Sequence, residues 1–332
     1  MEDTRYNNRK SGKKRRWRWI LTSLAIIFLI IFVFGFQLTG KIADITNMAH
    51  QQLGRGEKSE KRVKPVYPGK DNFSILFIGV DEREGETKSR SDVLLLATFN
   101  KNDHSIKMLS LPRDSRVYVP GYYPMKINTA YFLGGVDLAV ETVEELLDIP
   151  VDYYVKINFE AFVKVIDAIG GVTVDVPFTF TEMDSEDREN AITIREGRQT
   201  LNGEEALAYV RMRKQDPLGD FGRNERQKQV LTAIIEKSAS LTSITKYDDI
   251  LDSLGDNLKT NLTFQNIVAL HPYAKSISAI ESIKLEGENL YIDNSYYFNL
   301  DEESVYEVSE ILKDHLELPS MNTAYHKEDE YP

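Results

Sequence analysis

The sequence predicts an α/β domain whose mixed sheet is covered on both sides, carried behind one transmembrane helix. Three observations predict it. Continuous apolar, β-branched runs occupy Phe73 to Val80, Val93 to Phe99 and Ile106 to Leu111, the pattern of strands buried on both faces. Helical and strand patterns then alternate from Val136 onward, as a layered α/β domain requires. The third observation lies at the start of the chain, where an apolar run from Ile20 to Leu38 follows eight basic residues.

That run is 19 residues, a spanning length, and its basic flank places residues 1–19 in the cytoplasm and the chain after about Lys41 outside. A cleaved signal peptide would have a shorter apolar core, roughly 7–15 residues, and a small-residue cleavage site, which Gly35 to Lys41 lacks. Residues 1–19 therefore read as a basic cytoplasmic tail, 20–40 as a signal anchor, and 41–70 as an extracellular stalk broken by Gly54, Gly56, Pro65, Pro68 and Gly69. The folded domain takes 71–318, and 319–332 is a polar, frayed tail.

The first three strands are joined by connections short enough for antiparallel neighbours, 82–91 and 100–105. If they run up, down and up, Asp81 at the end of the first, Asp92 just before the second and Arg113 beyond the third share one rim. Strand-end crevices are where open α/β sheets hold ligands. Further on the pattern reads as a helix over Val136 to Leu147, a strand over Val151 to Ile157, a helix over Phe159 to Ile169 stopped by two glycines, and a strand over Val172 to Val176. Past Ser238, helices are expected near Ile244 to Leu254, Phe264 to Ala274 and Glu302 to His315, and a strand near Ser282 to Leu285. Phe132, Phe159, Phe162 and Phe178 read as core.

A second basic group follows the short helical stretch Gly203 to Tyr209. Arg211 and Arg213 are two apart, so an extended backbone would aim both to one side. The next helix has its apolar stripe at Val230, Leu231, Ile234 and Ile235, and stepping back from it reaches Gln227 and Arg223 on the inward face. Burying such groups is costly without partners, so either a ligand or a salt bridge from Arg223 to Asp216 or Asp220 must compensate. With Arg90, the candidate set is Asp81, Arg90, Asp92, Arg113, Arg211, Arg213, Arg223 and Gln227. Guanidinium forks suit phosphate oxygens, and a carboxylate pair suits a Mg²⁺ held mainly by water and phosphate.

Composition excludes other classes. Beyond residue 19 the chain holds 33 basic against 50 acidic residues, net −17, which disfavours nucleic acid. There is no cysteine, and the five histidines have no zinc-like spacing. A cytoplasmic part of 19 residues is too short for a helix-turn-helix domain, which disfavours direct DNA regulation.

The motifs Phe77-Ile78-Gly79-Val80-Asp81-Glu82-Arg83, Arg90-Ser91-Asp92-Val93, Ser110-Leu111-Pro112-Arg113-Asp114-Ser115, Lys126-Ile127-Asn128-Thr129-Ala130-Tyr131, Tyr209-Val210-Arg211-Met212-Arg213 and Asp220-Phe221-Gly222-Arg223 with Arg226-Gln227 occur in that order. Together they resemble the LytR-CpsA-Psr enzymes, and within them the wall teichoic acid ligases of the TagT/TagU/TagV type. The resemblance covers the tail, the anchor and about Asn72 to Leu318, with no departure from the motifs. It implies a three-layer α/β/α domain holding a polyprenyl diphosphate, a single-pass type II membrane protein with its domain on the outer side of the cell membrane in a Gram-positive-type envelope, and Mg²⁺ or Mn²⁺ as cofactor. It implies further that Asp81 and Asp92 bind the metal, and that Arg90 and Arg113 on one side, and Arg211, Arg213, Arg223 and Gln227 on the other, clamp the diphosphate, with Lys126 as a further contributor. The implied reaction moves a glycan phosphate from a polyprenyl-diphosphate-linked glycopolymer to a peptidoglycan hydroxyl, with Asp81, Asp92 and Arg113 catalytic. A lipid diphosphate hydrolase, a membrane-bound regulator and a passive lipid-binding scaffold are the competing readings.

Overall fold

A computed structural model describes residues 50–82, 89–213, 215–240, 257–270, 272–273 and 280–318. The tail and anchor expected over 1–40, the start of the stalk, the helix expected near Ile244 to Leu254 and the tail after Leu318 lie outside the described residues. Among the described residues no helix is long and apolar enough to cross a membrane.

The centre of the domain is a six-stranded mixed sheet. Strands β1 (Phe73–Val80), β2 (Ser91–Phe99) and β3 (Ile106–Ser110) form the expected antiparallel run. β6 (Tyr153–Asn158) lies parallel to β1, β11 (Leu258–Thr260) pairs antiparallel with β6, and β12 (Glu281–Ile283) pairs parallel with β3. The order across the sheet is β11-β6-β1-β2-β3-β12. Side chains alternate across it as a pleat requires. Leu76, Ile78, Val80, Leu94, Leu96 and Leu109 face the helices α1 (Asn128–Leu147) and α6 (Glu302–Leu316), which bury Val140, Val143, Leu147, Val308 and Leu312 against them. Phe73, Ile75, Leu95, Ala97 and Phe99 face the opposite way, onto Leu262 and Tyr273.

A second core sits beside the sheet. It joins α2 (Phe159–Ala168), α3 (Gly203–Arg211) and α4 (Asp220–Ser240) to the paired strands β7 (Val172–Val176) and β10 (Gly197–Leu201), and to β8 (Phe180–Glu182) with β9 (Ile192–Ile194). Two small ribbons complete the fold: β4 (Arg116–Val117) with β5 (Met125–Lys126), and β13 (Gly287–Ile292) with β14 (Ser295–Leu300).

Three expectations change. Helix α1 begins at Asn128, eight residues before the apolar stripe, and is broken at Gly134 and Gly135, where Gly135 has φ 63° and a Cβ on Gly134 would meet that of Leu138 at 2.5 Å. The helix expected over Phe264 to Ala274 is regular only as α5 (Phe264–Val268), four residues before Pro272. The stalk expected over 41–70 is, in its described part, a strap bound to the domain. Leu53 is buried, Tyr154 Oη donates to the Gln51 carbonyl at 2.7 Å, and Arg55 and Ser59 both bind the Glu144 carboxylate. Arg62 Nη2 pairs with Asp152 at 2.7 Å. The strap is polar, so its sequence carries no periodicity, yet it brings arginine counter-charges to two buried carboxylates that the rest of the domain meets with neutral donors, Val151 N at Glu144 and Ser74 at Asp152.

Candidate diphosphate site at the sheet rim

The rim is built by register. Gly79 pairs with Val93 and Val80 with Ser91, so Asp92 is the extra residue of a bulge inside β2 rather than the residue before it. A bulge re-aims a side chain at a sheet edge, and here it sets Asp92 against Arg113. Gly79 makes the tight approach possible, since a Cβ there would meet that of Val93 at 2.9 Å. After β3 the chain makes one more ladder bond, Leu111 N to the Leu94 carbonyl at 2.9 Å, then turns at Pro112 and delivers Arg113. Its Nη1 donates to Asp92 Oδ1 at 2.5 Å.

Because β6 runs parallel to β1 with Val80 opposite Asn158, Asp81 and Phe159 leave the sheet as neighbours. The Asn158 side chain accepts from Ala161 N at 2.9 Å and starts α2 there, so Phe159 stands at the rim. Its ring faces two cavities. One is lined by Asp92, Arg113, Phe159, Glu182, Met183, Arg211, Arg213, Arg223 and Gln227, with Val93 and Val210. The other is lined by Asp81, Glu82, Phe159, Glu160, Val163, Lys164, Ser185 and Glu204.

The second basic group reaches the first cavity from its far wall. Arg211 and Arg213 are not on an extended segment. Arg211 ends α3, whose start is fixed by a capping box between Asn202 and Glu205, and buried Met212 takes one extended step (ψ 132°) before Arg213. The Arg211 guanidinium lies 4.9 Å from the Phe159 ring centroid and pairs with Asp187 at 3.4 Å. Arg223 and Gln227, one turn apart on α4, are both buried and line the cavity as their spacing predicts. Asp216, one of the two salt-bridge partners expected for Arg223, is instead bound by Arg226, which also donates Nε to the Tyr209 carbonyl at 2.9 Å.

Six of the candidates thus converge: Asp92, Arg113, Arg211, Arg213, Arg223 and Gln227. Three stand apart. Asp81 lines the adjoining cavity beyond Phe159. Arg90 is exposed and lines neither cavity. Lys126 binds Asp114 at 2.8 Å and lies 5.5 Å above the Tyr297 ring, so it joins the site through Asp114. Beside Asp81, Glu82 accepts from Tyr131 Oη at 2.7 Å and is paired with Lys156. Burial, and then that bond to Glu82, raises the Tyr131 phenol well above its ordinary range, so Tyr131 stays protonated and is no base.

Phe159, Glu182, Met183 and Asp114 are not among the candidate site residues read from the sequence. Phe159 reads as core by its apolar type, and only the pairing of β6 with β1 reveals it. Asp114 was visible beside Arg113 but carries no pattern of its own.

Four arginines around one cavity favour a polyanion with more than one phosphate. Among the described residues no group of three or more histidines, aspartates and glutamates is placed to hold a metal by itself. A hard cation that keeps water and takes its remaining oxygens from phosphate needs only one or two carboxylates, and the carboxylates of that type at the rim are Asp92 on the arginine-lined cavity and Asp81 on the adjoining one.

The chain matches the LytR_cpsA_psr family over residues 37–314. It is 43% identical over 323 residues to the Bacillus subtilis polyisoprenyl-teichoic acid--peptidoglycan teichoic acid transferase TagT, covering 95% of this chain and 99% of that one. It is 42% identical over 299 residues to a TagU transferase of Halalkalibacterium halodurans, covering 89% and 96%. Among solved structures, TagT bound to LIIa-WTA superposes with a TM-score of 0.70 at 43% identity, over 81% of this chain and all of that one. A TagT structure with bound octaprenyl pyrophosphate lipid gives 0.66 at 40% identity, again over 81% and 100%. With the motifs in order and the match running through the whole described domain, the chain belongs to the LytR_cpsA_psr family and is, like these relatives, a transferase.

Proposed function

We propose that this protein moves an anionic cell-wall glycopolymer, wall teichoic acid or a polymer of that kind, from an undecaprenyl diphosphate carrier to a sugar hydroxyl of peptidoglycan. The observation that carries the reading is the convergence of Arg113, Arg211, Arg213, Arg223 and Gln227 on one cavity at the sheet rim. Support comes from TagT, 43% identical to this chain over 323 residues, a structure of which holds an octaprenyl pyrophosphate lipid. The basic tail and the apolar run at 20–40 place the domain outside the membrane that carries the lipid.

In the reaction the acceptor oxygen attacks the phosphorus next to the glycan, and that phosphorus is released from the bridging oxygen, which leaves with its electron pair as polyprenyl phosphate. Arg113 holds one side of the diphosphate, and Arg211, Arg213, Arg223 and Gln227 hold the other, so charge that grows on the bridging oxygen meets fixed donors. Asp81 and Asp92 would hold Mg²⁺, which supplies further neutralisation of the phosphates. Asp81 and Asp92 are the rim carboxylates that could take the hydroxyl proton, and one held on the metal would be a weakened base. The transfer needs no nucleotide, because the diphosphate ester is already activated.

The test incubates the full chain in detergent with a synthetic polyprenyl diphosphate glycan, un-crosslinked peptidoglycan and Mg²⁺, following label in lipid and polymer. Label should enter peptidoglycan, and Arg113→Ala should slow this by about 10²–10³, the usual loss for one transition-state donor, with the fold intact. Soluble glycan phosphate as the only product would assign a hydrolase instead. Bound lipid without turnover would refute both.

A further inference from the structure

Lys126, Arg113 and Arg213 come from three separate parts of the chain, β5, the turn after β3 and the α3–α4 connection, and all three lie within 4 Å of one carboxylate. Asp114 is 7% exposed. Its Oδ1 accepts from Lys126 Nζ at 2.8 Å, and its Oδ2 lies 3.6 Å from Arg113 Nε and 3.8 Å from Arg213 Nη1. Arg113 and Arg213 line the cavity; Asp114 stands behind them and does not.

The backbone around Asp114 is fixed from both sides. Ser115 N donates to the Pro112 carbonyl at 2.9 Å, Ile127 N to the Ser115 carbonyl at 2.8 Å, and Phe298 N from β14 to the Asp114 carbonyl at 2.9 Å. A buried carboxylate held this rigidly is a fixed negative point, and the cations arrange around it. Arg213 is the arginine that needs it most. Its side chain is 37% exposed, so it has rotamer freedom to lose when a ligand orders it.

From this geometry we infer that Asp114 is a positioning residue: it ties Arg213, on the far wall of the cavity, to Arg113 on the sheet rim, and so sets the spacing between the two halves of the clamp. The inference rests on the diphosphate reading above and adds what makes the site select two linked phosphates over one. A purely electrostatic role predicts the opposite sign, because a negative charge behind the site repels any phosphate. Its removal would then tighten binding of every anion.

The test uses the full chain in micelles with Mg²⁺. Titration calorimetry gives the affinities for geranylgeranyl diphosphate and geranylgeranyl monophosphate, and the transfer assay gives kcat and KM. Asp114→Asn is expected to lower the preference for diphosphate roughly tenfold while monophosphate binds as well or better, and to lower kcat roughly tenfold with KM within about threefold, since misplacement costs the transition state first. Asp114→Glu, with the charge kept but displaced, should fall between the two. An unchanged preference and kcat in Asp114→Asn overturns the inference. Should Asp114→Asn not fold, Asp114→Glu decides: a preference lowered about threefold supports the role and an unchanged one overturns it. If the wild-type chain transfers nothing, the proposed reaction fails, and the preference ratio alone still decides for or against Asp114.

Discussion

Replacing Arg226 by methionine tests whether the far wall of the site is built on one buried ion pair. Arg226 is 2% exposed, and its guanidinium is used on every side. Nε donates to the Tyr209 carbonyl at 2.9 Å, Nη2 to the Met212 carbonyl, and Nη1 binds Asp216, whose side chain is 3% exposed. The substitution keeps length and apolar volume but strips two carbonyls of a donor and leaves a buried carboxylate without its counter-charge. Lost bonds to a charged group cost about 1.5–3 kcal/mol each, but they are not additive with the loss of the pair. Breaking a buried ion pair from one side costs about 3–5 kcal/mol in total. At about 2–3 °C per kcal/mol for a domain of this size, the melting temperature should fall by roughly 6–15 °C. Thermal melts followed by circular dichroism measure it. Asp216→Asn combined with Arg226→Met should cost less than the sum of the two single changes by about 1–3 kcal/mol, because the neutral amide no longer needs the cation. Transfer should fall with stability, since Met212 sits between Arg211 and Arg213. A loss under about 1 kcal/mol, or strict additivity in the double variant, would refute the reasoning.

Two further outcomes follow from other parts of the fold. A chain beginning at Lys61 lacks the buried Leu53 and the Arg55 and Ser59 donors to Glu144, and should be about 3–5 kcal/mol less stable than one beginning at Thr46, measured by urea unfolding; equal midpoints would mean the strap is a passive tether. His315 is buried between Thr98 Oγ1 at 2.8 Å and Ser105 Oγ at 2.7 Å, and burial, helped by the charge of Lys107, holds its pKa below the ordinary value. Below pH 6.5 the unfolded chain then binds a proton that the folded chain does not, so stability should be flat above that value and decline below it, by at most about 1.4 kcal/mol per pH unit. His315→Gln should abolish that part of the slope. Asp103, Asp148 and Glu317, all lowered, act in a separate and more acidic window.

The central strands were legible because their apolar runs are unbroken, and the rim followed from connection lengths alone. Asp92 and Arg113 meet as the up-down-up reading requires. What register decides was not legible. The bulge that turns Asp92 inward depends on how Gly79 packs against Val93, and the place of Phe159 depends on which strand lies beside β1. Arg211 and Arg213 were read onto one side for the wrong reason: a helix end and a single extended step at Met212, not a strand, bring both to the cavity. The strap was read as a stalk because its partners, Glu144 and Asp152, lie 85–90 residues away in sequence. Polar segments take their structure from such distant partners, and no local pattern announces them.

Arg223, Arg226 and Gln227 show why residue type alone does not separate a ligand-binding arginine from a structural one. All three are buried on the first turns of α4, within five residues of each other. Arg226 is consumed by a carboxylate and two carbonyls, whereas Arg223 and Gln227 turn to the cavity with Arg211 and Arg213. The difference originates at Gly222. A Cβ there would lie 1.8 Å from Asp216 Oδ2, so only glycine lets the carboxylate press against the helix and reach Arg226. With Asp216 engaged by Arg226, the residues of these first turns that line the cavity are Arg223 and Gln227. The glycine in Asp220-Phe221-Gly222-Arg223 therefore shapes the wall of the candidate site through Asp216 and Arg226, although it has no side chain to offer a ligand.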